Sequence, residues 1–224
     1  MREDLRIIAN LIKRDARVLD LGCGSGDLLE HLAKAKNILG YGIENNSDEI
    51  SSCIRRGVNV IEHDLNQGLG RFPDKSFDMV IMTETLQAVD SPQRLLDEML
   101  RIGEECIVTF PNFGYWGHRV RMFTSGKFPV SQPMPHRWFD TPNIRPCTFL
   151  DFEQLCAEKH LRIVQRLVFS SSYRAGPLMN RFPNLFGATA FYRLGRASCP
   201  ENVISRCWKR LSRAGLTLKV APLI

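Results

Sequence analysis

The chain lacks a C-x-x-C cysteine pair, an apolar run near the ~20 residues of a membrane-spanning helix, and an apolar signal-peptide segment near its start. Its seven cysteines are scattered, and an odd number argues against both a disulfide framework and a zinc site. We therefore expect reduced thiols, several of them buried, no bound metal, and a cytoplasmic location. The cysteines are Cys23, Cys53, Cys106, Cys147, Cys156, Cys199 and Cys207.

Internal repeats and interdomain linkers are also absent from the sequence. The 224 residues, 44% of them hydrophobic, are enough for one large domain with a real core. We predict that residues 1–196 form this domain and that residues 197–224 form a basic C-terminal tail.

The net charge of +6 is concentrated at the C-terminal end. Residues 196–224 contain six basic residues and a single acidic residue, Glu201, which leaves +1 for the rest of the chain. Because residues 1–195 are nearly neutral, their charge gives no support for nucleic-acid binding by the folded domain. The tail either contacts an acidic partner or RNA, or it is a solvated chain end; we favour the solvated end.

Residues 18–26, Val-Leu-Asp-Leu-Gly-Cys-Gly-Ser-Gly, are typical of a strand that runs into a glycine-rich turn. Residues 27–35 follow with a helical pattern. Glycine permits positive φ and lets a ligand lie directly on the backbone, and the helix directs its free N–H groups at that ligand. The stretch therefore predicts a ligand cradle.

The glycine spacing indicates which ligand the cradle takes. A dinucleotide fingerprint is G-x-G-x-x-G, but here Asp27 occupies the place of the third glycine. Asp20, just before the turn, would repel a phosphate and would suit a cation or an amino group. S-adenosylmethionine has a sulfonium, an α-ammonium and no phosphate, so it fits both features. A plain strand-to-helix turn without a ligand is the alternative when this stretch is taken alone.

Two further acids follow predicted strands. Glu44 ends the strand predicted over residues 38–43, and Asp64 follows the strand predicted over residues 58–62. Ligands of open parallel sheets bind at the carboxyl ends of the strands. Glu44 is thus placed to bond both ribose hydroxyls, and Asp64 to accept from the adenine amino group. Each acid taken alone is typical of a solvent-exposed loop. The combination of these acids at the strand ends is what specifically indicates a ligand site.

The remaining pattern predicts an α/β chain with a seven-stranded, mostly parallel sheet and helices on both faces. The seventh strand is expected to pair antiparallel beside the sixth. An amphipathic helix over residues 4–14 precedes the first strand. The other predicted helices begin at Ser47, Ser91 and Thr148, and the other predicted strands cover residues 77–82, 105–110, 162–169 and 188–194.

Between residues 111 and 147 the α/β alternation breaks. The segment has six prolines and seven aromatic residues. Because disordered segments are poor in aromatics, we expect it to fold down over the crevice as a lid.

The order of acids and glycines from residue 14 to residue 110 resembles class I S-adenosylmethionine-dependent methyltransferases, which have a Rossmann-like fold. The chain more closely resembles the MetW family of bacteria over most of residues 1–170. The motifs that carry this resemblance are Arg17-Val-Leu-Asp-Leu-Gly-Cys-Gly, Tyr41-Gly-Ile-Glu, Arg56-Gly-Val-Asn-Val-Ile, Thr85-Leu-Gln-Ala-Val, Phe110-Pro-Asn-Phe-Gly and Asp140-Thr-Pro-Asn-Ile.

The MetW resemblance implies a role in methionine biosynthesis together with a homoserine O-acyltransferase. It also implies a binding site for S-adenosylmethionine or S-adenosylhomocysteine. By the family pattern Glu44 takes the ribose, and Asp64 with Leu65 borders the adenine. The methionine and turn subsite is formed by Asp20, Gly22, Gly24 and Gly26. The candidate site also includes Cys23 in the turn, Asn45 beside Glu44, and Glu84 after the fourth strand.

The residues give no clear catalytic base. Many small-molecule methyltransferases of this class have a histidine after the fourth strand, where this chain has Gln87, which cannot usefully accept a proton. His118, His136 and Asp140 of the lid are the remaining candidates, although an ordinary surface or packing role is favoured for each. Trp116 and Trp138 are interpreted as lid core rather than as a cage for a cationic substrate.

Two main hypotheses follow. In the favoured one, the protein binds S-adenosylmethionine or its demethylated product and activates or regulates the acyltransferase. In the alternative, it is a working methyltransferase on an unidentified small molecule held under the lid. RNA modification through the basic tail is a third, weaker interpretation.

Overall fold

In a computed structural model of the protein, which describes residues 3–170 and 177–196, one mixed sheet has the order β3-β2-β1-β4-β5-β7-β6. The seven strands are β1 (Arg17–Leu21), β2 (Leu39–Glu44), β3 (Val60–Glu62), β4 (Phe77–Thr83), β5 (Gly103–Pro111), β6 (Leu161–Phe169) and β7 (Thr189–Arg196). β7 pairs antiparallel with both β5 and β6, while the pairs among β1 to β5 are parallel. The predicted sheet is thus confirmed, including its antiparallel last strand.

The first helix precedes β1, and the other helices lie between strands in the chain. They are α1 (Glu3–Leu11), α2 (Asp27–Lys36), α3 (Ser47–Arg55), α4 (Pro92–Ile102), α5 (Trp116–Ser125), α6 (Phe149–Glu158), α7 (Pro177–Arg181) and α8 (Pro183–Phe186). Two short 3₁₀ turns cover Leu65–Gln67 and Leu86–Ala88. Among the residues that the structure describes, none of the helices has the length and apolar composition of a membrane-spanning segment.

Alternating side chains of the central strands build a core on each face of the sheet. On one face Leu19 and Val80 belong to a buried cluster with residues of α4 and α6. On the other face Val18 and Ile81 belong to a cluster with residues of α1, α2 and α3. Because side chains alternate along a strand, Asp20 is on the same side of β1 as Val18, the side of α1 to α3.

Several element ends differ from their predicted positions by a few residues. α1 ends at Leu11 instead of residue 14. β3 begins at Val60 rather than residue 58 because the N–H of Val58 still donates to the carbonyl of Cys53 in α3. β5 is longer than predicted and begins at Gly103, directly after α4.

The segment 111–147, predicted as a lid, contains α5 and otherwise irregular backbone. Its beginning is fixed by Asn112, a buried residue whose Nδ2 donates to the carbonyls of Asn184 and Gly187. Its end is fixed near Arg145, whose backbone N–H donates to the carbonyl of Gln87 and whose Nε donates to that of Asp90. The segment is therefore folded onto the domain at both ends, while the predicted basic tail, residues 197–224, lies outside the described residues.

Candidate functional site

A cleft opens where β1, β2 and β4 end, and it has two parts that share Gly22. The smaller part, of about 200 Å³, is lined by Gly22, Ile43, Glu44, Asn45, His63, Asp64, Leu65, Asn66, Thr85, Ala88 and Val89. The larger and more open part, of about 620 Å³, is lined by Leu5, Asp20, Gly22, Cys23, Gly24, Ser25, Asp27, Leu28, His31 and Thr83. The structure thus brings eight of the ten predicted binding residues to one cleft; Gly26 and Glu84 are the other two.

The turn after β1 explains the alternating glycines. Gly22, Gly24 and Gly26 all have positive φ, at 72°, 52° and 80°. At Gly22 a side chain is also excluded by space, because an added Cβ would lie 2.5 Å from Oγ1 of Thr85. Gly26 is the N-cap residue of α2 and does not line the cleft itself. The three glycines therefore allow the positive φ angles of this turn and leave its backbone accessible to a ligand.

Asp20 is the most unusual group of the cleft. Its carboxyl is buried, and its Oδ1 has no hydrogen-bond partner among the residues that the structure describes. Burial, and next the nearby charge of Glu44, raise the pKa of Asp20 to about 7. A buried polar atom without a partner is unfavourable, so this carboxyl is suited to a cationic hydrogen-bond donor such as an ammonium group.

Glu44 is tied to the backbone around it. Its Oε2 accepts from the N–H of Gly24 at 2.9 Å, and its Oε1 accepts from those of Asn45 and Asn46 at 2.9 and 3.1 Å. A carboxylate has about four acceptor positions, so about one is left for a ligand. The predicted contact with both ribose hydroxyls would then require one oxygen to be shared or one of these bonds to be displaced.

Asp64 and His63 form the far side of the smaller part of the cleft. Oδ1 of Asp64 accepts from the N–H of Asn66 at 2.9 Å, which caps the 3₁₀ turn that follows. His63 is buried, and its Nε2 is 2.7 Å from the carbonyl of Gly68. This side of the cleft is therefore fixed by local bonds before any ligand binds.

Glu84 has a left-handed backbone, with φ of 57°, and its N–H donates to the carbonyl of Thr109 at 2.9 Å. Its neighbours Thr83 and Thr85 line the two parts of the cleft, one each. The end of β4 and the loop after it thus line the cleft through the two threonines, whereas Glu84 is not among the lining residues. Binding by Glu84 stays a prediction.

Sequence reasoning missed several lining residues, among them Leu5, His31, His63 and the two threonines. His63 and Thr83 adjoin the ends of β3 and β4, so the strand-end rule applied to every polar residue would have found them. Leu5 and His31 come from α1 and α2, and only the packing of those helices brings them to the cleft.

Gln87 points into the protein. Its side chain is buried, and Nε2 donates to the carbonyl of Pro111 at 3.0 Å and to Sγ of Cys147 at 3.4 Å. It joins the loop after β4 to both ends of the lid segment. The residue that replaces the expected histidine is therefore a structural clamp.

None of the lid candidates for catalysis is among the residues that line the two parts of the cleft. His118 is buried in the lid, with Nε2 2.8 Å from Oγ of Ser131 and its ring near those of Phe113 and Tyr115. Burial lowers the pKa of His118, and hydrogen bonds with the backbone of Phe113 and Asn112 offset part of this decrease.

The other lid candidates are exposed. His136 has an exposed side chain, and Oδ1 of Asp140 accepts from the N–H of Arg137 at 2.6 Å. Trp116 and Trp138 are both exposed, which corrects their interpretation as lid core.

The described cysteines Cys23, Cys53, Cys106, Cys147 and Cys156 are all unpaired. Sγ of Cys23 is 3.9 Å from that of Cys53. Burial comes first among the causes that raise the pKa of both thiols. Within residues 3–170 and 177–196, no group of three or more His, Cys, Asp or Glu side chains is placed to hold a metal ion.

A sequence model of the family described as methionine biosynthesis protein MetW matches residues 2–194. The bifunctional methionine biosynthesis protein MetXA/MetW of Rhodopirellula baltica is 34% identical over 205 residues, which cover 86% of this chain and 33% of that protein. The chain thus spans about a third of the length of this curated relative.

Solved structures show the same fold. A methyltransferase dependent on S-adenosylmethionine from Archaeoglobus fulgidus has a TM-score of 0.63 and 20% identity, covering 87% of this chain and 91% of that one. Another from Mesorhizobium loti has a TM-score of 0.64 and 14% identity, covering 86% and 96%. The predicted Rossmann-like class I methyltransferase fold is confirmed.

Proposed function

The chain belongs to the family of the methionine biosynthesis protein MetW, and we propose that it binds S-adenosylmethionine or S-adenosylhomocysteine and regulates a homoserine O-acyltransferase. Methionine biosynthesis is the process to which the family belongs. The ligand, the residues that bind it and the acyltransferase partner are the parts proposed.

The observation that carries the ligand proposal is the Oδ1 of Asp20 at the glycine turn, which is buried and has no hydrogen-bond partner in the described part of the chain. An α-ammonium group would provide both the missing donor and a charge that favours the ionised carboxylate. Glu44 and Asp64 line the adjoining part of the cleft, where a ribose and an adenine would lie. Such an arrangement favours a nucleoside with a positive charge over one with a phosphate.

When bound, S-adenosylmethionine supplies an activated methyl group. The residues of this chain would bind and orient that ligand, with Asp20 on the ammonium, Glu44 on the ribose and Asp64 on the adenine amino group. Gln87, buried and engaged with Pro111, gives no proton acceptor at the usual position. Binding without transfer is therefore the simpler function of this cleft.

The partner proposal is supported by the relative from Rhodopirellula baltica, in which MetXA and MetW are named as one bifunctional protein. We take MetXA to be the homoserine O-acyltransferase component, in line with the partner that the family resemblance implies. Fusion of two proteins keeps them at high effective concentration, which benefits partners that act on each other. Binding the methyl donor made from methionine would let the regulator report on methionine supply.

A small-molecule methyltransferase is the second candidate function. His31 lines the larger part of the cleft, near the turn that would hold the methionine moiety, and an imidazole can accept a proton. The volume of about 620 Å³ in that part leaves room for an acceptor. A screen of small acceptors that yields methylated product above background would favour this function.

The proposed function is tested by titrating S-adenosylmethionine and S-adenosylhomocysteine into the purified full chain by calorimetry. The homoserine O-acyltransferase of the same organism is then assayed alone, with this protein, and with this protein plus either nucleoside. We expect saturable binding and a change in acyltransferase rate that responds to the nucleoside. An unchanged rate in all mixtures would refute the regulatory role, and absence of binding would refute the ligand.

A further inference from the structure

The outer side of α5 exposes apolar side chains that no part of the proposed function uses. Trp116, Val120 and Phe123 follow the i, i+4, i+7 spacing that places residues on one side of a helix. Trp116 and Val120 are about half exposed, and Phe123 is 91% exposed. Large aromatic side chains this exposed are typical of surfaces that bind another molecule.

An open groove of about 590 Å³ runs beside this stripe. Trp116 and Val120 contribute to its wall, and Arg121 and Lys127 also line it. The hydrogen bond between His118 and Ser131, both of which line the groove, fixes the loop against α5. We call this groove together with Phe123 the α5 face. Its mixture of Trp, Phe and Arg is the composition enriched in protein interfaces.

The α5 face is basic. The lid segment, residues 111–147, has five basic residues and one acidic residue, whereas residues 1–110 have 13 basic and 19 acidic residues. Within residues 3–170 and 177–196, every ion pair joins residues outside the lid segment. The cations of the α5 face thus have no internal acidic partner in the described chain, and they favour an acidic one from outside.

The positive charge of the α5 face argues against two of its possible binding partners, a second copy of the chain and the segment 197–224. Symmetric pairing of two copies through it would bring cations against cations. The segment 197–224, with five basic residues and one acidic residue, has the same sign of charge. Nucleic acid would satisfy the charge, but the aliphatic Val120, about half exposed, needs an apolar partner surface. A protein surface with acidic and apolar residues meets both requirements.

We propose that the α5 face is the docking surface for the homoserine O-acyltransferase, through an apolar patch bordered by acidic residues on that enzyme. This inference rests on the proposed function, since it takes the acyltransferase as partner. It adds the surface that is used and the chemistry of the complementary patch. Phe123 and Trp116 provide the apolar contact, and Arg121 and Lys127 provide the charge.

The test measures binding of the full chain to the purified acyltransferase of the same organism by calorimetry. The variants are Phe123→Ser, and Arg121→Glu combined with Lys127→Glu. Matched controls on α3 are Ile54→Ser, which also removes an exposed apolar side chain, and Arg55→Glu. We expect each α5 variant to weaken binding about tenfold or more and each control to change it less than about twofold.

Independent readouts separate docking from folding and from the proposed function. Affinity for S-adenosylmethionine and the circular dichroism spectrum should be unchanged in every α5 variant. If the wild-type chain binds and regulates the enzyme but the α5 variants bind equally well, this inference is wrong while the proposed function stands. If the wild-type chain does not bind the enzyme, both are wrong.

Two other results would also overturn the inference. The first is loss of binding to a single-stranded RNA in the α5 variants with acyltransferase binding intact, which would make the face a nucleic-acid surface. The second is dissociation of a wild-type dimer by the same variants with acyltransferase binding intact, which would make it a self-association surface. Acyltransferase binding that weakens at higher salt in the wild-type chain, but not in the variant that combines Arg121→Glu with Lys127→Glu, would support the role of Arg121 and Lys127.

Discussion

The carboxylate of Glu44 accepts a hydrogen bond of 2.9 Å from the backbone N–H of Gly24, which joins the end of β2 to the turn after β1. The same carboxylate accepts from Asn45 and Asn46, so it orders the loop before α3 as well. One side chain therefore shapes two of the backbone segments that line the cleft. A change at Glu44 should alter the cleft even where the ligand does not contact it.

Substitution Glu44→Ala should reduce affinity for S-adenosylmethionine by roughly 10- to 100-fold, because it removes both the proposed ribose acceptor and the bond to Gly24. Calorimetric titration measures the effect. Glu62→Ala is the matched control, since Glu62 is the parallel partner of Glu44 on β3 and is exposed. An equal loss of affinity in the two variants would contradict a specific role for Glu44.

The pKa of Asp20, about 7 in the folded protein, predicts how stability depends on pH. Because the unfolded value is about 3.9, the folded state holds more protons between these values, and the free energy of unfolding should fall as pH rises from about 4 to about 7. Asp20→Asn should remove this decline and stabilise the free protein by roughly 2 to 4 kcal/mol at about pH 8. Urea unfolding at several pH values from about 4 to about 8 measures this free energy. Asp48→Asn, at an exposed position, is the control.

Ligand binding should show the opposite pH dependence. An α-ammonium binds the ionised form of Asp20 best, so affinity for S-adenosylmethionine should rise by up to about tenfold per pH unit below pH 7 and level off above it. Binding at about pH 6 should release a proton, which calorimetry in two buffers of different ionisation enthalpy detects. The same affinity at about pH 5.5 and about pH 8 would contradict the proposed ammonium contact.

Gly22→Ala should destabilise the protein by roughly 2 to 4 kcal/mol, since it adds a clash with Thr85 to the cost of positive φ. Gly57→Ala is the matched control, because Gly57 has nearly the same φ, 71°, and open space around an added Cβ. It should cost only about 1 kcal/mol. Denaturant unfolding compares the two, and adding Thr85→Ala to Gly22→Ala should recover part of the difference.

Gln87→Ala should destabilise the protein by about 1 to 3 kcal/mol, because the buried carbonyl of Pro111 loses its side-chain donor. The lid segment should also become more sensitive to trypsin, which cleaves after its exposed Arg121 and Lys127. Gln154→Ala, at an exposed position of α6, should change the free energy of unfolding by less than about 0.5 kcal/mol. Unchanged stability and digestion in Gln87→Ala would show that the clamp is unimportant.

Local sequence signals predicted much of this fold. β1 lies where the sequence predicts a strand, because a short apolar run is bordered there by a charged residue and a glycine turn. The start of α6 was also predicted, since Thr148 and Asp151 form a capping box with reciprocal hydrogen bonds. In both places the pattern and the bonds that it predicts lie within a few residues of each other.

Features that depend on contacts between residues distant in sequence could not be predicted from local patterns. The inward direction of Gln87 depends on Pro111 and Cys147, which are distant in sequence. The hydrogen bond from Gly24 to Glu44 was also unforeseen, because Gly24 reaches Glu44 only when β1 and β2 pair. Within the proline-rich lid, α5 was not predicted, and neither were α7 and α8 between the last two strands.

The position of β7 has a consequence for how the chain is completed. β7 inserts between β5 and β6, although it is made after both. During synthesis, therefore, β5 keeps an unpaired edge and β6 has no neighbour until residue 196 has emerged from the ribosome. A chain that stops before Thr189 would retain every strand that borders the cleft, yet expose a row of free backbone groups prone to aggregation.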